Sequence, residues 1–538
     1  MSLSLPQIPS DLVGLKDFAA SLQAENLALQ QERGALRAEN GVLKDELYAK
    51  TLHIEKLKAH LAQLKRAHFG RSSEKLAQIE QMELLIGELE ESEAQLAARL
   101  EAKSVPSGRR ETVQKTAAQP VRKALPMHLP REIVAHGAAC ACPECGSMNL
   151  TLIGTDKREL LEYVPSYFKV IVHERPKMSC RNCETITQAP MPSLPIERGL
   201  PGPGLLAHVL ISKYCDHLPL YRQSQIYARD NVEIDRSTMA DWVGRMSFLL
   251  EPLAERIGDY VRSGEVIHAD DTPLPVQEPG RGKTKTGRLW VLLRDERPWG
   301  SKSPPAVFYR YSPDRKAERA WALLQGCRGY LHADAYSGFR ELYQPMTISG
   351  DVRMLEVGCW AHARRKIYEV HAATASPAAR ALVHRIDELF AIERDLSGQQ
   401  PEARRAVREE RAVPLLKEMK AEFEAVLSRI SGKSSFAVAL RYALSRWPSF
   451  TRYTTDGRLD ICNNAAERAM RPVALGRKNW LFAGNDDGGD RAAIIYTLIE
   501  TAKINELNPA AYLRTVIERI ADHPIKRIDE LLPWNMAL

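Results

Sequence analysis

Leu15, Leu22, Leu29, Leu36 and Leu43 recur every seven residues, and Leu57 and Leu64 keep the same register past one interruption at Lys50. An apolar repeat this strict predicts a helix whose seam is covered by another helix. Four residues after each leucine the companion series reads Ala19, Asn26, Arg33, Asn40, Leu47, Ile54 and Leu61. Asparagine at such positions suits a parallel dimer, in which each pairs with its twin across the axis. The expected dimer seam is therefore Leu22, Asn26, Leu29, Leu36, Asn40 and Leu43. A long helix packed on the rest of the chain is the plainer alternative. Gly34 and Gly41 weaken either helix by about 1 kcal/mol each.

The repeat occupies the first 67 of 538 residues. At roughly 150 residues per domain, a chain of this length predicts three or four domains. Hydrophobic residues make up 44% and charged residues 27%, enough for at least one large core. No apolar run reaches the ~18 residues of a membrane span, and the start has no secretory pattern. A cytoplasmic, bacterial setting is expected, with no membrane partner. A net charge of +7 permits nucleic-acid binding without requiring it. After Gly70, Ser72 or Ser73 is placed to cap a second helix. A linker follows over 103–131, with seven Lys/Arg against the single acid Glu111, and prolines at 106, 120, 126 and 130. Such an arm suits a phosphate backbone, and equally a solvated tether.

Nine cysteines make a poor disulfide framework, and four of them stand as Cys142–Cys145 and Cys180–Cys183. Each CxxC knuckle aims two thiolates at one point, and two knuckles complete a closed tetrahedral Zn²⁺ site. The 34 residues between them have room for a hairpin. Cys140 is a possible substitute ligand. Past the GLPGPG hinge, LLAHVLISKYCDHL, LYRQSQIYARD and a stretch from about Ser237 predict helices. With Arg222, Arg229 and Arg236 near their turns, they fit a helix-turn-helix or a plain bundle.

The period then changes. Glu265–Val276, Arg288–Asp295 and Ala306–Tyr311 predict three strands, followed by a helix near 315–325. Further strands are predicted at Gly329–Ala335 and about Arg353–Gly358. This is the ribonuclease H-like order, in which the first and fourth strands are neighbours. Asp270 and Asp334 would then converge. Glu467, opening a helix behind Asn463 and Asn464, is the candidate third acid for a two-Mg²⁺ (or Mn²⁺) site. Asp460, Asp486 and Asp487 are its competitors, better suited to turns or caps. Arg468, Arg471, Arg477 and Lys478 are candidate contacts for DNA phosphates. His268 and His332 each precede an aspartate by two residues, so they either line the metal site or serve the core. Cys359 and His362 share one side of a turn. They fit simple packing, support of an insertion or contact with a DNA end, while a second zinc site would need further ligands.

These stretches resemble the insertion sequence 66 family of DDE transposases. The matching segments are HFGRSSEKL (68–76), the CxxC pairs, SKYCDHLPLYRQS (212–224), HADDTPLPV (268–276), HADAYSGF (332–339), CWAHARRK (359–366) and NNAAERAMRPVALGRKNWLFAG (463–484). The resemblance implies Asp270, Asp334 and Glu467 as the catalytic triad and a helical insertion over about 360–455. It implies an enzyme that cleaves element ends and joins their 3′-hydroxyls to target DNA, as a homodimer or higher oligomer, with accessory proteins of the same element as further partners. The chain departs from the family at Asp271, where glutamate is common. Alternation puts Asp271 on the face opposite Asp270.

The expected architecture is multidomain α+β. It comprises a coiled coil (1–67), a second helix and basic linker (68–131) and a zinc module (132–195). A helical, possibly helix-turn-helix region (196–262), a ribonuclease H-like catalytic domain (263–505) and a helical tail (506–538) complete it. A nuclease that cuts without joining and an inactive zinc-bearing DNA-binding protein are the rival readings.

Overall fold

The computed structural model describes residues scattered between 23 and 47, then 125, 127–136, 141–196 apart from 143, 165 and 166, and 199–536 apart from 278–283, 335, 345–353 and 481. Asn26, Leu36, Asn40 and Leu43 of the expected seam are helical, and Leu36 is 44% exposed in the single chain. Leu22, Leu29, the second helix and the linker over 103–124 lie outside the described residues. Among the described residues no helix is long and apolar enough to cross a membrane.

The first sheet holds the cysteine knuckles. Strands β2 (Leu150–Val164) and β3 (Tyr167–Cys180) form a long antiparallel hairpin, flanked by β1 (Arg131–Ala135) and β4 (Ile186–Gln188). Its β2–β3 turn end is rooted by Phe168 and Val170, both buried, while Cys180 closes the far end beside Leu150.

Helices α1 (Pro203–Tyr214), α2 (Leu220–Arg229) and α3 (Arg236–Arg262) follow. Nine of the twelve residues of α1 are buried. Leu205, Met239, Leu250 and Val261 share one hydrophobic core with the sheet that comes next. These helices pack against the sheet that follows the expected boundary near 262. Helix α1 is committed to the interior rather than free to enter a DNA groove.

The central sheet has five strands, β5 (Val266–Val276), β6 (Lys285–Arg294), β7 (Ala306–Ser312), β8 (Gly329–His332) and β9 (Met354–Val357), in spatial order β7-β6-β5-β8-β9. The first three form an antiparallel meander, and β8 and β9 join in parallel, with helix α4 (Ala317–Leu323) making the crossover. Strand β8 pairs with β5 only over Val266–His268. Beyond that point, among the described residues, this edge of β5 meets only a single bridge from Val276 to Ala483, which is where Pro273 and Pro275 are tolerated.

Helices α5 (Trp360–Thr374), α6 (Pro377–Asp395), α7 (Pro401–Val407), α8 (Val413–Arg429), α9 (Ser435–Leu444) and α10 (Trp447–Thr451) form a second core. Trp360, Ile386, Met419, Phe423 and Leu440 fill it, and Val266 and Val357 of the sheet reach into it. The chain then returns to the first core through α11 (Asn464–Asn479), α12 (Asp486–Ile504) and α13 (Pro509–Ile520).

Candidate active site and zinc centre

The parallel register of β5 and β8 sets His268 beside His332. Their rings stack at 4.2 Å, and both side chains are buried. Burial holds both imidazoles below their usual pKa, His332 well below, so they serve as neutral core groups. Two residues further along each segment stand Asp270 and Asp334. Alternation puts Asp270 on the same face of β5 as His268, and Asp334 follows directly on the end of β8. Both acids lie just past the end of the β5–β8 pairing, Asp270 within β5 and Asp334 beyond β8.

Glu467 arrives on the first turn of α11, where the helix dipole favours an anion. Asn463 fixes that arrival. It is fully buried, its Oδ1 lies 3.0 Å from His268 Nδ1, and its Nδ2 donates to the Ala269 carbonyl at 2.8 Å. One side chain thus fastens the start of the Glu467 helix to the residues just before Asp270. The Asn463 backbone N–H in turn donates to the Cys359 sulfur at 3.2 Å, joining α5 to the same point.

The electrostatics reflect this crowding. Burial pushes the Asp270 carboxyl up to about 7, with the charges of Asp334, Asp271 and Glu467 adding to the effect and the Asp271 backbone N–H opposing it. Burial raises Asp334 as well, against the charges of His362 and Arg315. Asp271 is differently placed: its carboxylate is nearly sealed and bonded to Arg288 at 3.0 Å and Arg315 at 2.7 Å. The competing acids are also engaged. Asp460 pairs with Arg404 at 3.1 Å, Asp486 accepts from Lys285 and Tyr311, and Asp487 bonds Asn485.

Beside Glu467 opens a cleft of about 580 Å³, whose walls include Arg364, Arg365, Tyr368, Arg468 and Arg471. Arg468 and Arg471 therefore stand together at the candidate site. Arg477 donates to the Pro273 carbonyl and is bound up with the sheet, and Lys478 is exposed on the same helix. Sequence reasoning missed Arg364 and Arg365, although CWAHARRK carried them. It also treated Asn463 as a cap alone.

The four knuckle cysteines form one cluster. The Cys142–Cys183, Cys145–Cys183 and Cys145–Cys180 sulfur separations are 3.2, 3.4 and 3.7 Å. A zinc tetrahedron with ~2.3 Å arms has edges of about 3.8 Å, so the set fits zinc with little adjustment.

Comparison with known proteins agrees with this division. The model described as "Transposase IS66 family" matches residues 198–491, and "IS66 C-terminal element" matches 497–534. "Zinc-finger binding domain of transposase IS66" matches 139–184, and "Transposase C of IS166 homeodomain" matches 56–134. The zinc-finger match and the four-cysteine cluster together support Zn²⁺ as a cofactor. Three relatives from Sinorhizobium fredii bear the names uncharacterized protein y4hP, y4qI and y4jD. The first is 39% identical, covering 91% of this chain and 89% of its own. The second is 37% identical over 99% of both chains, and the third 37% over 89% and 94%.

Proposed function

Because the chain belongs to the IS66 family of transposases, we propose that Asp270, Asp334 and Glu467 are the catalytic acids of a DDE transposase acting on the ends of its own element. The observation that carries this reading is the partly buried Asp270 of β5, on which the charges of Asp334, past the end of β8, and Glu467, on α11, both act. Burial first, with the charges of neighbouring acids adding to it, pushes the Asp270 carboxyl up to about 7, a state that a cation would relieve. The strand order β7-β6-β5-β8-β9 supports a ribonuclease H-like domain.

The three carboxylates are hard oxygen donors and suit Mg²⁺ or Mn²⁺. Bound there, such ions would supply activation of the attacking hydroxyl and neutralisation of the leaving oxygen. The protein's own residues do the rest. Asn463 fixes Glu467 against β5, and Arg468 and Arg471, with Arg364 and Arg365, hold phosphates along the cleft. Arg477 and Lys478 extend the basic helix. Water attacks the phosphodiester at the element end, and the P–O bond to the 3′ oxygen breaks. The freed 3′-hydroxyl then attacks a target phosphodiester, so one such bond replaces another.

Two ends must meet in one complex. The heptad seam of Leu22, Asn26, Leu29, Leu36, Asn40 and Leu43 would bring two chains together. The zinc module and the basic arm would add contacts to the ends, and accessory proteins of the element are further candidate partners.

The test is nicking of a supercoiled plasmid carrying the gene's own flanking DNA, in Mg²⁺ or Mn²⁺. Wild-type protein is expected to nick at the element boundary and Asp334→Asn is not. Cutting that persists in the variant would remove Asp334 from the site.

A further inference from the structure

Cys359 is the N-cap residue of α5, and His362 stands three residues on, over the same turn. Glu467 meets them from α11. A sulfur, an imidazole nitrogen and a carboxylate oxygen from these three residues lie within 4.8 Å of one another. The set joins a buried thiol to two partly buried groups.

His362 Nε2 lies 3.5 Å from Glu467 Oε1. That is longer than a good hydrogen bond, which ends near ~3.2 Å. It matches the edge of a zinc tetrahedron with ~2.1 Å arms to nitrogen and oxygen, which is about 3.4 Å. Glu467 Oε1 and His362 Nδ1 are both sealed from solvent and have no hydrogen-bond partner among the described residues. Buried polar atoms are nearly always satisfied. A carboxylate oxygen left so beside an imidazole and a sulfur calls for a cation. Arg365 approaches the other oxygen, Oε2, at 3.4 Å, which leaves Oε1 for that ion.

We propose that Cys359, His362 and Glu467 hold a soft divalent cation of the zinc class, with a fourth position open to water. A thiolate and an imidazole select such an ion over magnesium, which takes oxygen donors. The Cys359 thiol gives its proton to solvent as the metal–sulfur bond forms. This site is separate from the four-cysteine centre. It shares Glu467 with the proposed catalytic acids, so zinc here withdraws Glu467 from magnesium and stops cleavage. That consequence rests on the catalytic reading above, whereas the metal site itself does not.

The experiment loads the full chain with zinc, dialyses it, and counts bound metal by mass spectrometry. Wild type is expected to keep two zinc equivalents per chain, and Cys359→Ala and His362→Ala one. Cys359 is buried, so Glu467→Gln, on a partly exposed turn, is the second variant. It is expected to lose the same equivalent with an unchanged melting temperature. Cobalt(II) gives an independent readout, a charge-transfer band from one thiolate that Cys359→Ser abolishes. One equivalent in wild type, or two that persist in all the variants, overturns the site. Cleavage in magnesium is expected to be lost when the second zinc equivalent binds, and to return when it is chelated. Full binding with undiminished cleavage overturns the competition. If wild type that keeps only the four-cysteine zinc fails to cut in magnesium, the catalytic reading fails while the metal count still decides the site.

Discussion

Asp271 commits its carboxylate to Arg288 and Arg315, whereas Asp270 accepts the Asp271 backbone N–H at 2.8 Å and faces other acids. These surroundings predict opposite effects for the same substitution. In the folded chain Asp270 holds its proton up to about 7, and the ordinary value is 3.8. An acid raised on folding favours the folded state at low pH and costs stability once it ionises. The unfolded carboxyl already ionises above 3.8, so in magnesium-free buffer Asp270→Asn should raise the melting temperature at both pH values, and more at pH 8 than at pH 5, by on the order of 1–3 °C. Asp271→Asn should lower it at pH 8, because two arginines lose their carboxylate partner. Scanning calorimetry at both pH values makes the comparison. Equal destabilisation by both would make Asp270 an ordinary structural acid. Strand alternation separates these two residues in the sequence, but not the partners of Asp271, since Arg288 and Arg315 arrive on other elements.

At the scale of elements, Asn463 is the clasp between β5 and α11, and Cys180 is the clasp of the zinc hairpin. Asn463→Ala would leave the Ala269 carbonyl without its donor and His268 without its acceptor, costing about 1–3 kcal/mol. Plasmid nicking should fall by well over an order of magnitude, while DNA-end binding and the zinc of the four-cysteine centre hold. Cleavage at the wild-type rate would show that Glu467 finds its place without Asn463. For the hairpin the effect is local. Its β2–β3 turn end is rooted in the main core by Phe168 and Val170, so only the knuckle end depends on metal. Cys180→Ser should speed hydrogen exchange over 141–152 and 177–188 and leave the central sheet protected. Loss of protection across the sheet would contradict that independence. The strands of the central sheet were legible because runs such as RLWVLLR are too apolar and too short for anything else, whereas of the first sheet only room for a hairpin was. The meeting of Cys359 and His362 with Glu467 was not, since it depends on packing across a hundred residues of chain.

The whole molecule has two cores, and the path between them determines where Glu467 arrives. The π turn Arg408–Ala412 sits between α7 and α8, and Arg408 is completely buried. Its guanidinium bonds Glu393 at 2.6 and 2.8 Å and the carbonyls of Tyr453, Asp456 and Leu459 at 2.7, 3.1 and 2.8 Å. Arg404 adds a bond to Asp460. Together they clamp the returning segment, 453–460, that leads directly to Asn463 and Glu467. From sequence, Arg404 and Arg408 belong to an Arg/Glu-rich helical stretch that reads as a solvated face. Nothing in a charge pattern tells a buried guanidinium from an exposed one, and only the carbonyls of a distant segment make burial affordable here. The helical insertion therefore acts on the candidate site through its interior. Arg408→Met should cost about 3–5 kcal/mol, because Glu393 and three carbonyls lose a partner. Arg408→Met with Glu393→Gln should regain part of that loss by removing the stranded charge, yet nicking should stay low, because the carbonyls of 453–459 are still unheld. Melting temperature and nicking measured on both variants separate stability from positioning. Nicking that recovers in step with stability would reduce the clamp to a packing element with no part in placing Glu467.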